Sequence, residues 1–119
     1  MKKSDFETLL HQFSDVVKDS QVILSSSTQE EILFKARIWF IDSSKLAVTD
    51  HFFNISRRKY AYQWMKEDNS LIIRWDNVKH HPDIENFPFH KHIETDENVH
   101  SSEEMDLKTV LAYIAEQLK

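Results

Sequence analysis

The stretch Ile32-Leu33-Phe34-Lys35-Ala36-Arg37-Ile38-Trp39-Phe40-Ile41-Asp42 decides the fold. Phe34, Ala36, Ile38 and Phe40 alternate with Lys35, Arg37 and Trp39. That is the two-residue period of a strand with one dry face and one wet face. Asp42-Ser43-Ser44-Lys45 follows as a turn, with short polar residues that bond their own backbone. Residues 46–55 read as the next strand. Their apolar parity moves from Leu46 and Val48 to Phe53 and Ile55, which predicts a bulge or bend near Asp50-His51. Residues 58–66 alternate again, with Tyr60, Tyr62 and Trp64 on one side. After the turn Glu67-Asp68-Asn69-Ser70, Leu71, Ile73 and Trp75 oppose Ile72, Arg74 and Asp76. Successive alternating runs joined by short polar turns predict an antiparallel meander.

Working outward, residues 4–19 have helical spacing through Phe6, Leu9, Leu10, Phe13, Val16 and Val17, and Ser4 with Glu7 has the form of a capping box. Residues 21–27 predict a short strand. Towards the other end, residues 77–88 hold both prolines and break the alternation. Residues 89–94 fit a last strand, with His90, His92 and Glu94 on one face and Phe89 and Ile93 on the other. An acidic linker runs from Thr95 to Glu104. Leu107, Val110, Leu111, Ile114 and Leu118 then mark a closing helix, with Ser101 and Glu104 as its capping candidates. The expected class is α+β: a single domain over residues 1–119, with an antiparallel meander of about five to six strands and the N-terminal and C-terminal helices packed on one face. The stripe of the closing helix serves the core or a homodimer surface.

Composition removes several functions. The 119 residues carry 15 Lys plus Arg and 20 Asp plus Glu, a formal charge of −5 with His neutral. A uniformly basic nucleic-acid coat is excluded; a local basic patch is not. Apolar residues at 40% and aromatics at 12% are too many for a disordered chain. Without cysteine there is no disulfide, thiolate metal site or Cys nucleophile. Without glycine there is no Walker A loop, Rossmann fingerprint or nucleophile elbow. No run approaches the ~18 apolar residues of a membrane span. Met1-Lys2-Lys3-Ser4-Asp5 leads into no apolar h-region, so no signal peptide and a cytoplasmic location are expected, and the sequon Asn54-Ile55-Ser56 carries little meaning.

Four of the seven histidines, His80, His81, His90 and His92, fall close together beside Arg74, Asp76 and Lys91. Such a set can bind a metal, because imidazole with carboxylate suits zinc, manganese, iron or nickel. It can move protons near neutral pH, since an unperturbed imidazole titrates at about 6.5. It can hold a phosphate through Arg, Lys and protonated His. It can also do none of these and brace an irregular loop through backbone hydrogen bonds. Asp76 either orients a histidine tautomer or caps the loop. Arg57-Arg58-Lys59 either meets RNA phosphates or guards a sheet edge as a solvated turn. Trp39, Tyr60, Tyr62, Trp64 and Trp75 either stack bases or pack across strands. His11, His51 and His100 are scattered and take no role.

The runs Arg74-Trp75-Asp76-Asn77, His80-His81-Pro82 and Phe87-Pro88-Phe89-His90-Lys91-His92 resemble the signature of the TumE-like proteins. These are small prokaryotic proteins predicted to be toxins of type II toxin–antitoxin pairs, beside a helix-turn-helix antitoxin called TumA. The resemblance spans roughly residues 20–118. Two departures stand out: Val78-Lys79 replaces the usual Ala-Pro, and Phe89 stands where many members have His. The resemblance implies a toxin with a helix-turn-helix antitoxin partner. Combined with the residues, it gives an expected small metal-independent endoribonuclease. His80, His81, His90 and His92 would supply acid and base, Arg74 would stabilise charge and Asp76 would orient a ring. Lys91, Arg57 and Arg58 would bind RNA, gathered with Arg74 into one positive site. No residue is assigned as a metal ligand and no cofactor is expected, although a divalent metal at the histidines stays open. The rival expectations are a non-enzymatic protein-interaction module with a structural His loop, and a His-ligated metal-binding protein.

Overall fold

The computed structural model describes residues 1–54 and 57–119. The end of the predicted 46–55 strand and most of the sequon lie outside the described residues. The order is α1 (Lys3–His11), β1 (Val17–Ser27), β2 (Glu31–Phe40), β3 (Lys45–Phe53), β4 (Arg57–Met65), β5 (Leu71–Asp76), β6 (His90–Ile93), β7 (Val99–Ser101) and α2 (Leu107–Gln117). All seven strands form one sheet in chain order, each antiparallel to the next. The meander is therefore correct in kind but longer than five to six strands. The extra strand, β7, lies inside the stretch read as an acidic linker. It pairs His92 with Val99 and His90 with Ser101, a backbone interaction that composition does not reveal.

Directly paired residues share a face, so the register sorts the side chains. Phe34, Ala36, Ile38 and Phe40 of β2 share a face with Leu46 and Val48, then Tyr60, Tyr62 and Trp64, then Ile73 and Trp75. Every one of these is buried. Phe6 of α1 packs on Phe34 at 5.1 Å between ring centroids. Tyr113 of α2 sets its ring edge-on to Trp64 and Trp75. Both helices thus cover this one face, and the opposite face is free of helix. Tyr60, Tyr62, Trp64 and Trp75 are core residues, so the packing reading of these aromatics holds and the base-stacking one does not.

Several boundaries differ from expectation. The first helix ends at His11, not residue 19. A tight turn follows, and the Val16 carbonyl accepts the Ile41 N–H while Val17 pairs with Phe40. Pairing with β2 takes this β-branched pair out of the helix and lengthens the predicted 21–27 strand back to Val17. Ser4 falls inside α1 and caps nothing; Lys2 holds the cap position with no side-chain bond. The cap of α2 is Asp106, which accepts the Thr109 N–H at 2.8 Å, not Ser101 or Glu104. No bulge interrupts β3, whose register is continuous on both sides. Bulges lie instead in β1 and between β4 and β5. The apolar parity of β3 changes because its core face ends in a buried polar network at Asp50. In a chain without glycine, Ser43, Asn54, Asn69, Asn86 and Glu94 take the left-handed turn positions. Among the described residues no helix is long and apolar enough to cross a membrane.

Candidate functional site

The strand register brings Arg74 opposite His92 and Asp76 opposite His90. All four lie on the helix-free face. Asp76 is only 2% exposed and is the hub. Its Oδ1 accepts the Val78 N–H at 3.0 Å and lies 2.8 Å from His90 Nε2. Its Oδ2 accepts Arg74 Nε at 3.0 Å and lies 3.4 Å from His92 Nε2. Asp76 thus caps the start of the loop through the Val78 N–H and faces both rings. The far nitrogens are held as well. His90 Nδ1 stands 2.9 Å from the Pro88 carbonyl and His92 Nδ1 2.8 Å from the Asp96 carbonyl.

The loop of residues 77–89 returns His81 onto this pair. Its ring centroid lies 5.0 Å from that of His90 and 6.0 Å from that of His92. His80 is exposed, and it is His81 of this pair whose ring meets the others. Asn77 works as a backbone substitute at the end of β5, donating to the Arg58 carbonyl and accepting the Tyr60 N–H. Phe89 packs against the core on the helix side. The departure from His at this position therefore removes nothing from the cluster.

The four expected cations do not gather. Arg58 belongs to the helix side, where it makes a paired bond to Asp50, donates to Tyr62 Oη at 2.7 Å and donates to the Met105 carbonyl. Burial pulls this guanidinium down, but the bonds and charge of Asp50 outweigh it and hold the group above its ordinary value. Burial, reinforced by Asp50, pushes the Tyr62 hydroxyl well up. This network joins β3, β4 and the entry to α2; it is structural. Lys91 pairs with Trp75 and faces away from the cluster. Arg57 and Arg74 remain on the helix-free face. The alternation that places a histidine inward places its neighbour Lys91 outward, which is why one positive site cannot contain all four.

Sequence reasoning missed what joins Arg57 and Arg74 on that face. Lys35 and Arg37 of β2, Lys45 of β3, and Lys59 of β4 share it. Together with Arg57 and Arg74 they oppose only Glu31 and Asp76 across β2 to β5, and Glu31 is paired with His51. Ala47, Thr49, Ala61 and Gln63 lie between them, so the face is low in its centre. A pocket there is lined by residues that include Lys35, Thr49, Lys59, Ala61, Arg74 and Val78. Lys35 and Arg37 alternate with the core residues of β2, so the signal was present in the sequence. It became a patch only when the strands were set in register.

A protein-family model described as toxin TumE matches residues 6–118. The chain belongs to the toxin TumE family. The match includes most of α1, beyond the roughly 20–118 span of the sequence resemblance, and supports a toxin role. No curated protein and no solved structure matches the chain. Within this TumE family domain, the cluster and the basic face are contiguous: Arg74 belongs to both.

Proposed function

We propose that this chain is the toxin of a toxin–antitoxin pair and acts on RNA, with the strands of the helix-free face binding the phosphate backbone and the His81–His90–His92–Asp76 cluster as the reactive centre. The observation that carries this reading is the charge segregation. A chain of net charge −5 concentrates Lys35, Arg37, Lys45, Arg57, Lys59 and Arg74 on one sheet face that leads to the histidines. A polyanion is the ligand such a face favours, and the remaining acidic surface repels it elsewhere. Arg74 uses Nε on Asp76 and Nη1 on Gln63. That leaves Nη2 on a half-exposed, fixed guanidinium to meet a phosphate oxygen.

The chemistry this supports is transfer within the RNA itself. A base takes the 2′-hydroxyl proton, the 2′-oxygen bonds to phosphorus, and the bond from phosphorus to the 5′-oxygen breaks as that oxygen takes a proton. The products are a 2′,3′-cyclic phosphate and a 5′-hydroxyl, with no co-reactant consumed. His80 and His81 reach the loop surface and Arg74 stabilises the charge that develops on the phosphate.

The antitoxin partner, proposed as a helix-turn-helix protein, has a different surface available. β1 is an edge strand of 11 residues with Ile23 and Leu24 exposed. Its outer backbone groups can add a strand from a partner. The test is induced expression in the cytoplasm of a bacterial host, of wild type, of Arg74→Ala and of a Lys35→Ala/Arg37→Ala pair, following growth and total RNA integrity. Arrest with RNA degradation by wild type and loss of both effects in the variants supports the reading. Arrest with intact RNA overturns the RNA target, and no arrest at all overturns the toxin assignment.

A further inference from the structure

Two imidazoles in the cluster face more acceptors than they have protons to give. A neutral imidazole has one N–H and one lone pair. His90 Nδ1 meets the Pro88 carbonyl and His92 Nδ1 meets the Asp96 carbonyl. A carbonyl only accepts, so each ring proton belongs on Nδ1. The lone pairs of both Nε2 atoms then face the Asp76 carboxylate, at 2.8 Å and 3.4 Å. His90, His92 and Asp76 are all buried, so bulk water does not separate them. As neutral rings His90 and His92 set two lone pairs and a carboxylate around one small volume, an arrangement completed by a cation among them, either a proton on each Nε2 or a shared metal ion.

We propose that His81, His90, His92 and Asp76 bind one divalent transition-metal ion of the zinc class. The ligand nitrogens of His81, His90 and His92 already lie within 4.8 Å of one another. Two atoms bonded to one zinc at about 2.0–2.1 Å stand roughly 3.3 Å apart in tetrahedral geometry. The Asp76 spacings to His90 and His92 are of that scale, and His81 closes from a half-buried loop position. The backbone carbonyls on both Nδ1 atoms are the outer-shell bonds that fix the tautomer and aim of a metal-binding histidine. Arg74 and the Val78 N–H do the same for the carboxylate. A set of three imidazoles and one carboxylate selects zinc and its first-row neighbours over magnesium or calcium. The inference does not depend on RNA being the substrate. With the ion bound, the three rings act as ligands, and His80 is the exposed neighbour left free for proton transfer.

The experiment uses the full chain, stripped with chelator and titrated with Zn²⁺, Co²⁺ and Mg²⁺ by calorimetry, with visible absorption followed for Co²⁺. One Zn²⁺ or Co²⁺ per chain is expected, with ligand-field bands for Co²⁺ and no Mg²⁺ uptake. His81→Ala should weaken binding at least about 10-fold with an unchanged circular dichroism spectrum. His100→Ala, outside the cluster, should bind as wild type. Should His81→Ala not fold, His81→Gln takes its place. Absence of saturable Zn²⁺ and Co²⁺ binding overturns the proposal, as does binding unaffected by the His81 change. RNA cleavage is read separately, so failure of the metal site and failure of the RNA reading are told apart.

Discussion

At the residue scale, Asp76 bears the most. It accepts the Val78 N–H and Arg74 Nε, and its two oxygens lie against the Nε2 atoms of both buried rings. Removing one member of a buried polar network leaves its partners uncompensated. Asp76→Ala should therefore cost about 3 kcal/mol in urea denaturation. Asp76→Asn, which keeps an acceptor for Val78, should cost less. Tyr62 makes a second prediction. Burial and Asp50 raise its folded pKa above the ordinary 10.0. The unfolded chain then ionises first as pH rises, so it binds fewer protons than the native state. Stability from this group is intact below about pH 10 and falls above it. Tyr62→Phe should flatten that alkaline fall, measured as denaturation midpoint against pH, while costing about 1 kcal/mol at neutral pH through the lost bonds to Asp50 and Arg58.

At the element scale, helix ends and turns hold separable contributions. Asp106 accepts the Thr109 N–H and so satisfies one orphan donor of α2. That bond also lowers its pKa below the ordinary 3.8. Its contribution is thus present above that value and lost as pH falls below it. Asp106→Ala should cost about 1 kcal/mol at pH 7, read from thermal unfolding. The turn between β2 and β3 places Ser43 at φ 72°, where a Cβ is a burden. Ser43→Gly should leave stability unchanged or raise it by up to about 1 kcal/mol, because relief of the left-handed position offsets the entropy glycine adds to the unfolded chain. The alternation in β2 to β5 was legible because each of those strands has one face under helix and one in solvent. The start of β1 was not, because Val16 and Val17 satisfy helical spacing as well as strand pairing, and only contact with β2 decides between them. β7 was not legible either: a three-residue strand of Val99, His100 and Ser101 has too short a period to show.

At the whole-molecule scale, the seven-stranded sheet sorts charge between its two sides. Helices bury one face; the other collects cations from four strands. If that face binds RNA, the dependence of affinity on salt reports how many phosphates it neutralises. Lys35→Ala and Arg37→Ala should each reduce the slope of log affinity against log salt by about 1, with little change in sequence preference. Arg58→Ala, whose side chain is tied into the Asp50–Tyr62 network, should lower stability rather than that slope. Fluorescence anisotropy across a salt series separates the two outcomes.

Composition and period by themselves determined the α+β class, the meander, the placing of Tyr60, Tyr62 and Trp64 on one side of a strand and the association of His90 with His92. Each follows from local spacing: a strand turns alternate residues to one side wherever it lies. The convergence of His81 on the two strand histidines, the placement of Asp76 between them, and the division of Arg58 and Lys91 from Arg57 and Arg74 came only from tertiary structure. Those relations depend on the path of a loop and on the register of β4, β5 and β6, set by backbone pairing and core packing across many residues. One residue of slip in that register would send Asp76 to the helix side and disperse the cluster.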